Sequence, residues 1–189
     1  MGSVSTAAGN VVRRKELRDG RVCEIRLVAP EEAQAFVEFM QQLFAESNHF
    51  FSRDQADMTV AQAHDFLEAE NRKGRVLGAY VDGQLMGNID ISRQTPARRN
   101  HVASFSMGLL NALQRQGIGR ALVEEAIAWA KRKGNIEKVT LYVRSHNAPA
   151  LALYQKLGFI EEGRRVKEWR VGGEYVDEVL MYKWLKDES

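Results

Sequence analysis

Two segments of the chain carry residues whose types and spacing suit chemistry. The first is Gln114-Arg115-Gln116-Gly117-Ile118-Gly119-Arg120-Ala121, a glycine-punctuated turn that follows an apolar stretch and opens an amphipathic helical pattern. Strand, tight turn and helix in that order aim several backbone N–H groups and the positive end of a helix dipole at one point, which suits a phosphate or diphosphate. Gly117 and Gly119 permit the bend and keep side chains out of the anion's way. The spacing excludes the commoner nucleotide motifs, because no Gly-Lys-Ser/Thr follows and a third glycine is missing. A strand-to-helix connection also uses glycine for structural reasons alone, so the turn by itself leaves both readings open.

The second segment runs from Asn147 to Phe159, Asn-Ala-Pro-Ala-Leu-Ala-Leu-Tyr-Gln-Lys-Leu-Gly-Phe. Asn147 and Tyr154 lie about two helical turns apart, so both can face one side of a helix. Asn147 is also a good helix cap, and Tyr154 could equally pack its ring in a core.

Gln114, Gly117 and Gly119 fit Gln/Arg-x-x-Gly-x-Gly/Ala, and the second segment fits Asn…Leu-Tyr-x-Lys-Leu-Gly-Phe. With both motifs in this order and spacing, the chain resembles the GNAT acetyltransferase superfamily over residues 24–185. The resemblance implies acetyl-coenzyme A (acetyl-CoA) as cosubstrate, its diphosphate held by backbone N–H groups across Gln114, Arg115, Gln116, Gly117, Ile118, Gly119, Arg120 and Ala121. It implies that the pantetheine amides pair with the backbone of Met107, Gly108 and Leu109, whose N–H groups can also polarise the thioester carbonyl. Asn147 would contact the pantetheine region. Tyr154 would be the catalytic acid, giving a proton to the leaving thiolate. A small primary amine (amino acid, polyamine or similar) would be the partner that receives the acetyl group, by direct attack in a ternary complex. A protein N-terminal amine and a catalytically weak acyl-CoA sensor are the alternatives. Homodimers are frequent in the family.

A protonated amine must lose a proton before it attacks. Some family members supply a glutamate from the strand before the cofactor turn, but here that strand reads Ala103-Ser104-Phe105-Ser106-Met107. Asp90, Asp177 and Glu178 remain as candidate bases. Ser104, Ser106 and Ser145 lack a nucleophile-elbow setting, so a covalent intermediate is not expected. The histidines show no metal-ligand spacing, and no metal is expected. Asn48-His49-Phe50-Phe51 and residues 172–177 are the segments expected beside the acceptor amine.

These groups need a scaffold. The expected order is β-α-α-β-β-β-α-β-α-β-β, an α/β fold with a GNAT-like mixed sheet of about six to seven strands and flanking helices. Asp82-Gly83 and Gly172-Gly173 mark hairpins. Thr59 caps a helix reaching about Lys73, and Ile118, Leu122, Ala126 and Trp129 form an apolar stripe on the helix after the glycine turn. Residues 1–20 read as a flexible tail and residues 21–189 as a single GNAT-like domain.

The 27 basic and 25 acidic residues leave a net charge of +2, so charge balance gives no argument for nucleic acid or an anionic membrane. Basic clusters such as Arg13-Arg14-Lys15 read as solvated faces. Cys23 is the only cysteine, which fits a reducing, cytoplasmic setting. No apolar run approaches the ~20 residues of a membrane helix.

Overall fold

The computed structural model describes residues 11–47 and 57–186. Among them, eight strands form one sheet in the order β1-β2-β3-β4-β5-β6-β8-β7. These are β1 (Val11–Glu16), β2 (Val22–Leu27), β3 (Gly74–Val81), β4 (Gln84–Arg93), β5 (Val102–Leu109), β6 (Lys138–Arg144), β7 (Ile160–Val171) and β8 (Glu174–Trp184). Every neighbouring pair is antiparallel except β5 and β6.

Among the described residues, four α-helices cover the sheet. α1 (Ala33–Ser47) and α2 (Val60–Lys73) pack on one face through Phe36, Met40, Leu43 and Leu67. α3 (Ile118–Arg132) and α4 (Ala148–Lys156) cover the other, where Ile118, Leu122, Ala126 and Trp129 are buried against Ile89, Ile91, Phe105 and Leu141. That set contains the stripe expected from the sequence, and its width lets α3 lie flat on the sheet. Thr59 caps α2 as expected, accepting from the Gln62 N–H while the Gln62 side chain answers to the Thr59 N–H. Both expected hairpin turns form, with positive φ at Asp82 and Gly83 and at Gly172 and Gly173.

The order therefore gains a strand at its front. Residues 1–20 were expected as a tail, but Val11–Glu16 pairs antiparallel with β2. Two of its three half-buried positions, Arg13 and Lys15, are cationic, which hides the strand pattern. Arg13 lies over α3 and is ion-paired with Glu124 (2.8 Å) and Glu125 (3.7 Å), so that part of the basic cluster is not simply a solvated face.

Candidate active site

β5 and β6 are parallel neighbours, but their register runs only from Val102↔Lys138 to Ser104↔Thr140. Beyond that point the strands part and leave a gap through the sheet. Leu110 donates its N–H to the Met86 carbonyl, and Gln94 donates to the Val102 carbonyl, so even-numbered residues of β5 turn their backbone toward β4. The odd ones, Phe105, Met107 and Leu109, turn theirs into the gap. Consistent with this, the Leu109 carbonyl accepts from the Gln114 side chain (3.3 Å). Strand alternation also splits the side chains, with Phe105, Met107 and Leu109 on the α3/α4 face and Ser106 on the α1/α2 face.

A groove with a cavity of about 600 Å³ passes through this gap. On the α3/α4 side the glycine turn bounds it. Arg115 and Gly117 both take left-handed backbone (φ 57° and 78°), and Gly117 is the N-cap of α3 with no side chain capping the helix. The first bond of α3 runs from the Ala121 N–H to the Gly117 carbonyl, leaving the N–H groups of Ile118, Gly119 and Arg120 as the orphan donors of a helix N-terminus. A Cβ on Gly119 would stand 3.2 Å from Leu109, 3.3 Å from Leu153 and 3.5 Å from Met107. These side chains pack close on Gly119 and leave little room for a side chain of its own.

Gln114, Arg115, Gly117, Gly119, Arg120, Asn147 and Tyr154 line the groove with Met107, Gly108 and Leu109. At three of the expected positions the side chain does not line the groove, and at Ala121 the N–H is taken as well. The Gln116 side chain is tied to the Arg18 N–H and the Ala112 carbonyl. Ile118 is core by its side chain, although its N–H is one of the helix-end donors. Ala121 is buried and its N–H is already bonded within α3. Gly108 turns its amide toward β4, and its missing side chain makes room for Leu43, which a Cβ would strike at 2.4 Å.

Asn147 caps α4 by accepting from the Ala150 N–H (3.2 Å). Tyr154 sits edge-on to Phe105 and Phe159, with ring centroids 5.7 and 6.0 Å away. Burial pushes its phenol well above the ordinary value, so it stays protonated throughout the working range. Among the described residues no side chain or backbone group holds its hydroxyl, which borders the groove.

On the α1/α2 side the groove is lined by Ser47, Ser106, Tyr142, Arg144, Trp169 and Glu178. The Glu178 carboxylate accepts from Arg165 Nη1 (3.0 Å) and Trp169 Nε1 (3.1 Å). The Arg144 guanidinium stacks on Trp169, 4.6 Å from the ring centre, and burial lowers its pKa.

Of the three candidate bases, Glu178 reaches the groove directly. Asp90 reaches it through Ser106, whose Oγ donates to Asp90 Oδ1 at 2.6 Å. Asp90 is only half-buried by surface area but is tightly enclosed by protein. Burial raises its carboxyl to about 7, with Glu70 adding to the shift and the Ser106 hydrogen bond opposing it. Asp177 does not reach the groove, since it accepts instead from the Lys167 N–H and from Arg164. In place of residues 172–177, it is Trp169 and Glu178 of the β7–β8 hairpin that line the groove. Residues 48–51 lie outside the described residues.

Tyr142, Arg144 and Trp169 were not singled out from the sequence. Their convergence depends on β8 entering the sheet between β6 and β7, and no local pattern announces that. One further cluster departs from the sequence reading. His64, Asp65 and Glu68 bring donor atoms within 4.8 Å of one another on the exposed side of α2, where Glu68 pairs with Arg72. It lies on an exposed helix face, where such groups are common without an ion.

A sequence model described as the acetyltransferase (GNAT) family matches residues 37–159. The L-amino acid N-acetyltransferase AaaT of Escherichia coli is 35% identical over 105 residues, covering 56% of this chain and 65% of that protein. The N-alpha-acetyltransferase RimI of Mycobacterium tuberculosis is 39% identical over 99 residues, 51% of this chain and 59% of that protein. The chain thus spans less than two thirds of the length of these curated relatives. Among solved structures, an acetyltransferase of the GNAT family from Streptococcus pneumoniae superposes with a TM-score of 0.80 at 28% identity, covering 86% of this chain and 99% of that one.

Proposed function

Because the chain belongs to the acetyltransferase (GNAT) family, we propose that it moves an acetyl group from acetyl-CoA to the primary amine of a small molecule. The observation that carries this is the join between two half-sites. An uncapped helix N-terminus with no room for a side chain at Gly119 stands on one face of the sheet, a polar and aromatic chamber on the other, and the β5–β6 gap connects them.

The donor set fits acetyl-CoA. A helix end lacking a side-chain cap suits the diphosphate, with Arg115 and Arg120 beside it. The N–H and carbonyl groups of Met107 and Leu109, which the parting of β6 leaves facing the gap, suit an extended arm with amides. When bound, the coenzyme supplies an activated acetyl thioester. The Met107 N–H is then placed to stabilise charge developing on a carbonyl oxygen, and Tyr154, held protonated, donates toward the leaving sulfur.

The acceptor chamber favours a small amine. Arg144 offers a cation to a carboxylate, Glu178 and the Trp169 ring offer the complement to an ammonium, and the β7–β8 hairpin closes that side. The amino-acid acetylating relative supports this reading and the N-alpha-acetylating one keeps peptide N-termini as the second. We place the protein in the cytoplasm, where acetyl-CoA is held. Thiol release measured with a panel of free amino acids, polyamines and short peptides tests the proposal. Turnover confined to small amines supports it, turnover confined to peptides favours the second reading, and coenzyme binding without any turnover identifies a sensor.

A further inference from the structure

Asp90 and Ser106 face each other across β4 and β5, registered as direct partners on the α1/α2 face. The 2.6 Å bond from Ser106 Oγ to Asp90 Oδ1 is short for a neutral pair and fits a hydroxyl donating to a carboxylate. Ser106 is exposed to the groove, next in sequence to Met107, whose backbone faces the gap. Asp90 lies behind it. The other groups around Asp90 are few in kind. From α2, Glu70 faces it, ion-paired with Lys73 at 2.8 Å. β3 places Val76 at the registered position, and α1 contributes apolar Leu43 and the Ser47 end of the helix to the same face.

We propose that Ser106 and Asp90 form a proton relay that deprotonates the acceptor amine, with Ser106 touching the amine and Asp90 acting through it. This rests on the acetyl-transfer reading above and supplies the base that the strand itself lacks. Ser106 Oγ takes a proton from the ammonium nitrogen while its own hydroxyl proton passes to Asp90 Oδ1. The N–H electron pair stays on nitrogen as the attacking lone pair, and the carboxylate becomes a neutral acid. That lone pair forms the bond to the acetyl carbon as the carbon–sulfur pair leaves with sulfur. Of the three ammonium protons, one reaches Asp90 and is later returned to solvent, one accounts for the product thiol and one stays in the amide.

The chemistry of the pair suits the task. A carboxyl held near 7 is ionised about half the time at neutral pH and still basic enough to accept a proton. Burial and the nearby Glu70 charge raise it, and the Ser106 hydroxyl restrains the rise. An ordinary aspartate, some three units more acidic, would be a far weaker base.

The test combines titration and kinetics. In the coenzyme-free protein, carbon-13 NMR should show the Asp90 carboxyl titrating near neutrality, and S106A should move that titration upward, since the hydroxyl favours the carboxylate. With an amine of pKa about 10, D90N and S106A should each lower kcat/KM by roughly 10²–10⁴-fold. With a weakly basic acceptor such as a hydrazide, unprotonated at neutral pH, the loss should be only a few-fold. S106T should keep most of the activity on both. Acetyl-CoA affinity, measured by calorimetry, should be unchanged in all three variants, which also reports their folding. Equal losses on both acceptors, or no loss on the basic one, would overturn the relay while leaving acetyl transfer standing. A wild-type protein that acetylates no amine would overturn both.

Discussion

Asp177 Oδ1 accepts the backbone N–H of Lys167 at 2.8 Å across the β7–β8 pair. Lys167 stands in left-handed backbone, φ 56°, within a bulge where Arg165 registers with Glu178 but Trp169 registers with Val176. The additional residues on β7 reset the direction of its side chains, and Trp169 arrives with its Nε1 on Glu178 and its ring beside Arg144. Asp177 therefore shapes the acceptor chamber from behind rather than entering it.

Replacing Asp177 by alanine should loosen that bulge. Losing the hydrogen bond should cost about 1 kcal/mol of stability in chemical denaturation. The KM for the amine should rise several-fold as the bulge that aims Trp169 loosens, while acetyl-CoA affinity measured by calorimetry stays level.

Glu178 is the acceptor for two donors, so E178A strands Trp169 Nε1 while Arg165 keeps Glu168 at 3.4 Å. A loss of about 1 kcal/mol is expected from the part-buried indole N–H, with the half-exposed Arg165 adding little. E178Q keeps an acceptor for both and should retain most of the stability. Steady-state kinetics should show the larger KM effect for acceptors that carry a second cationic group.

Tyr154→Phe removes only a hydroxyl that no described residue holds. Thermal stability should change little, and the binding constant for acetyl-CoA should be preserved. Single-turnover kinetics should show the acetyl-transfer step slowed by about 10²-fold, consistent with loss of a general acid. An unchanged rate would reduce Tyr154 to a wall of the groove.

Arg26 and Glu32 form a two-pronged ion pair, both contacts at 2.8 Å, and Glu32 also accepts from the Ala29 N–H and the Tyr80 hydroxyl. Burial pushes the Glu32 carboxyl up, but the bonds from Arg26 and Ala29 outweigh it and hold the group below its ordinary 4.5. A depressed folded-state pKa contributes stability that is complete above the unfolded value and lost as pH falls toward the folded one. The Glu32 contribution, read as the difference between wild type and E32Q so that the Asp90 titration common to both cancels, should therefore be flat near neutrality and decline below about pH 4.5. E32A should cost about 3 kcal/mol at pH 7 by leaving Arg26 largely buried and unpaired, as urea denaturation would measure.

The proposed coenzyme half of the groove is legible in the sequence because its lining is built from contiguous residues. One turn sets the backbone of residues 114–120, and one helix places Asn147 and Tyr154. Helix caps and hairpins were legible for the same reason, since Thr59 with Gln62 and Asp82 with Gly83 act locally. The acceptor half was not. Asp90 meets Ser106, and Trp169 meets Arg144, only through strand register, the placement of β8 and a bulge. β1 carries no apolar alternation because Arg13 and Lys15 take two of its half-buried positions, Arg13 being satisfied by acids of α3. Ala121 falls within the motif, yet its N–H is already bonded to the Gly117 carbonyl within α3.

The most direct test of the central claim is calorimetric titration of the protein with acetyl-CoA and, separately, with S-acetylpantetheine, which lacks the diphosphate. The wild type should bind acetyl-CoA far more tightly than the truncated thioester. Gly119→Val, which fills the space beside Leu109 and Leu153, should erase most of that difference while the protein remains folded by circular dichroism. Equal affinity for the two thioesters in the wild type, or a G119V protein that binds acetyl-CoA as well as its parent, would contradict the assignment of the turn to the coenzyme's diphosphate.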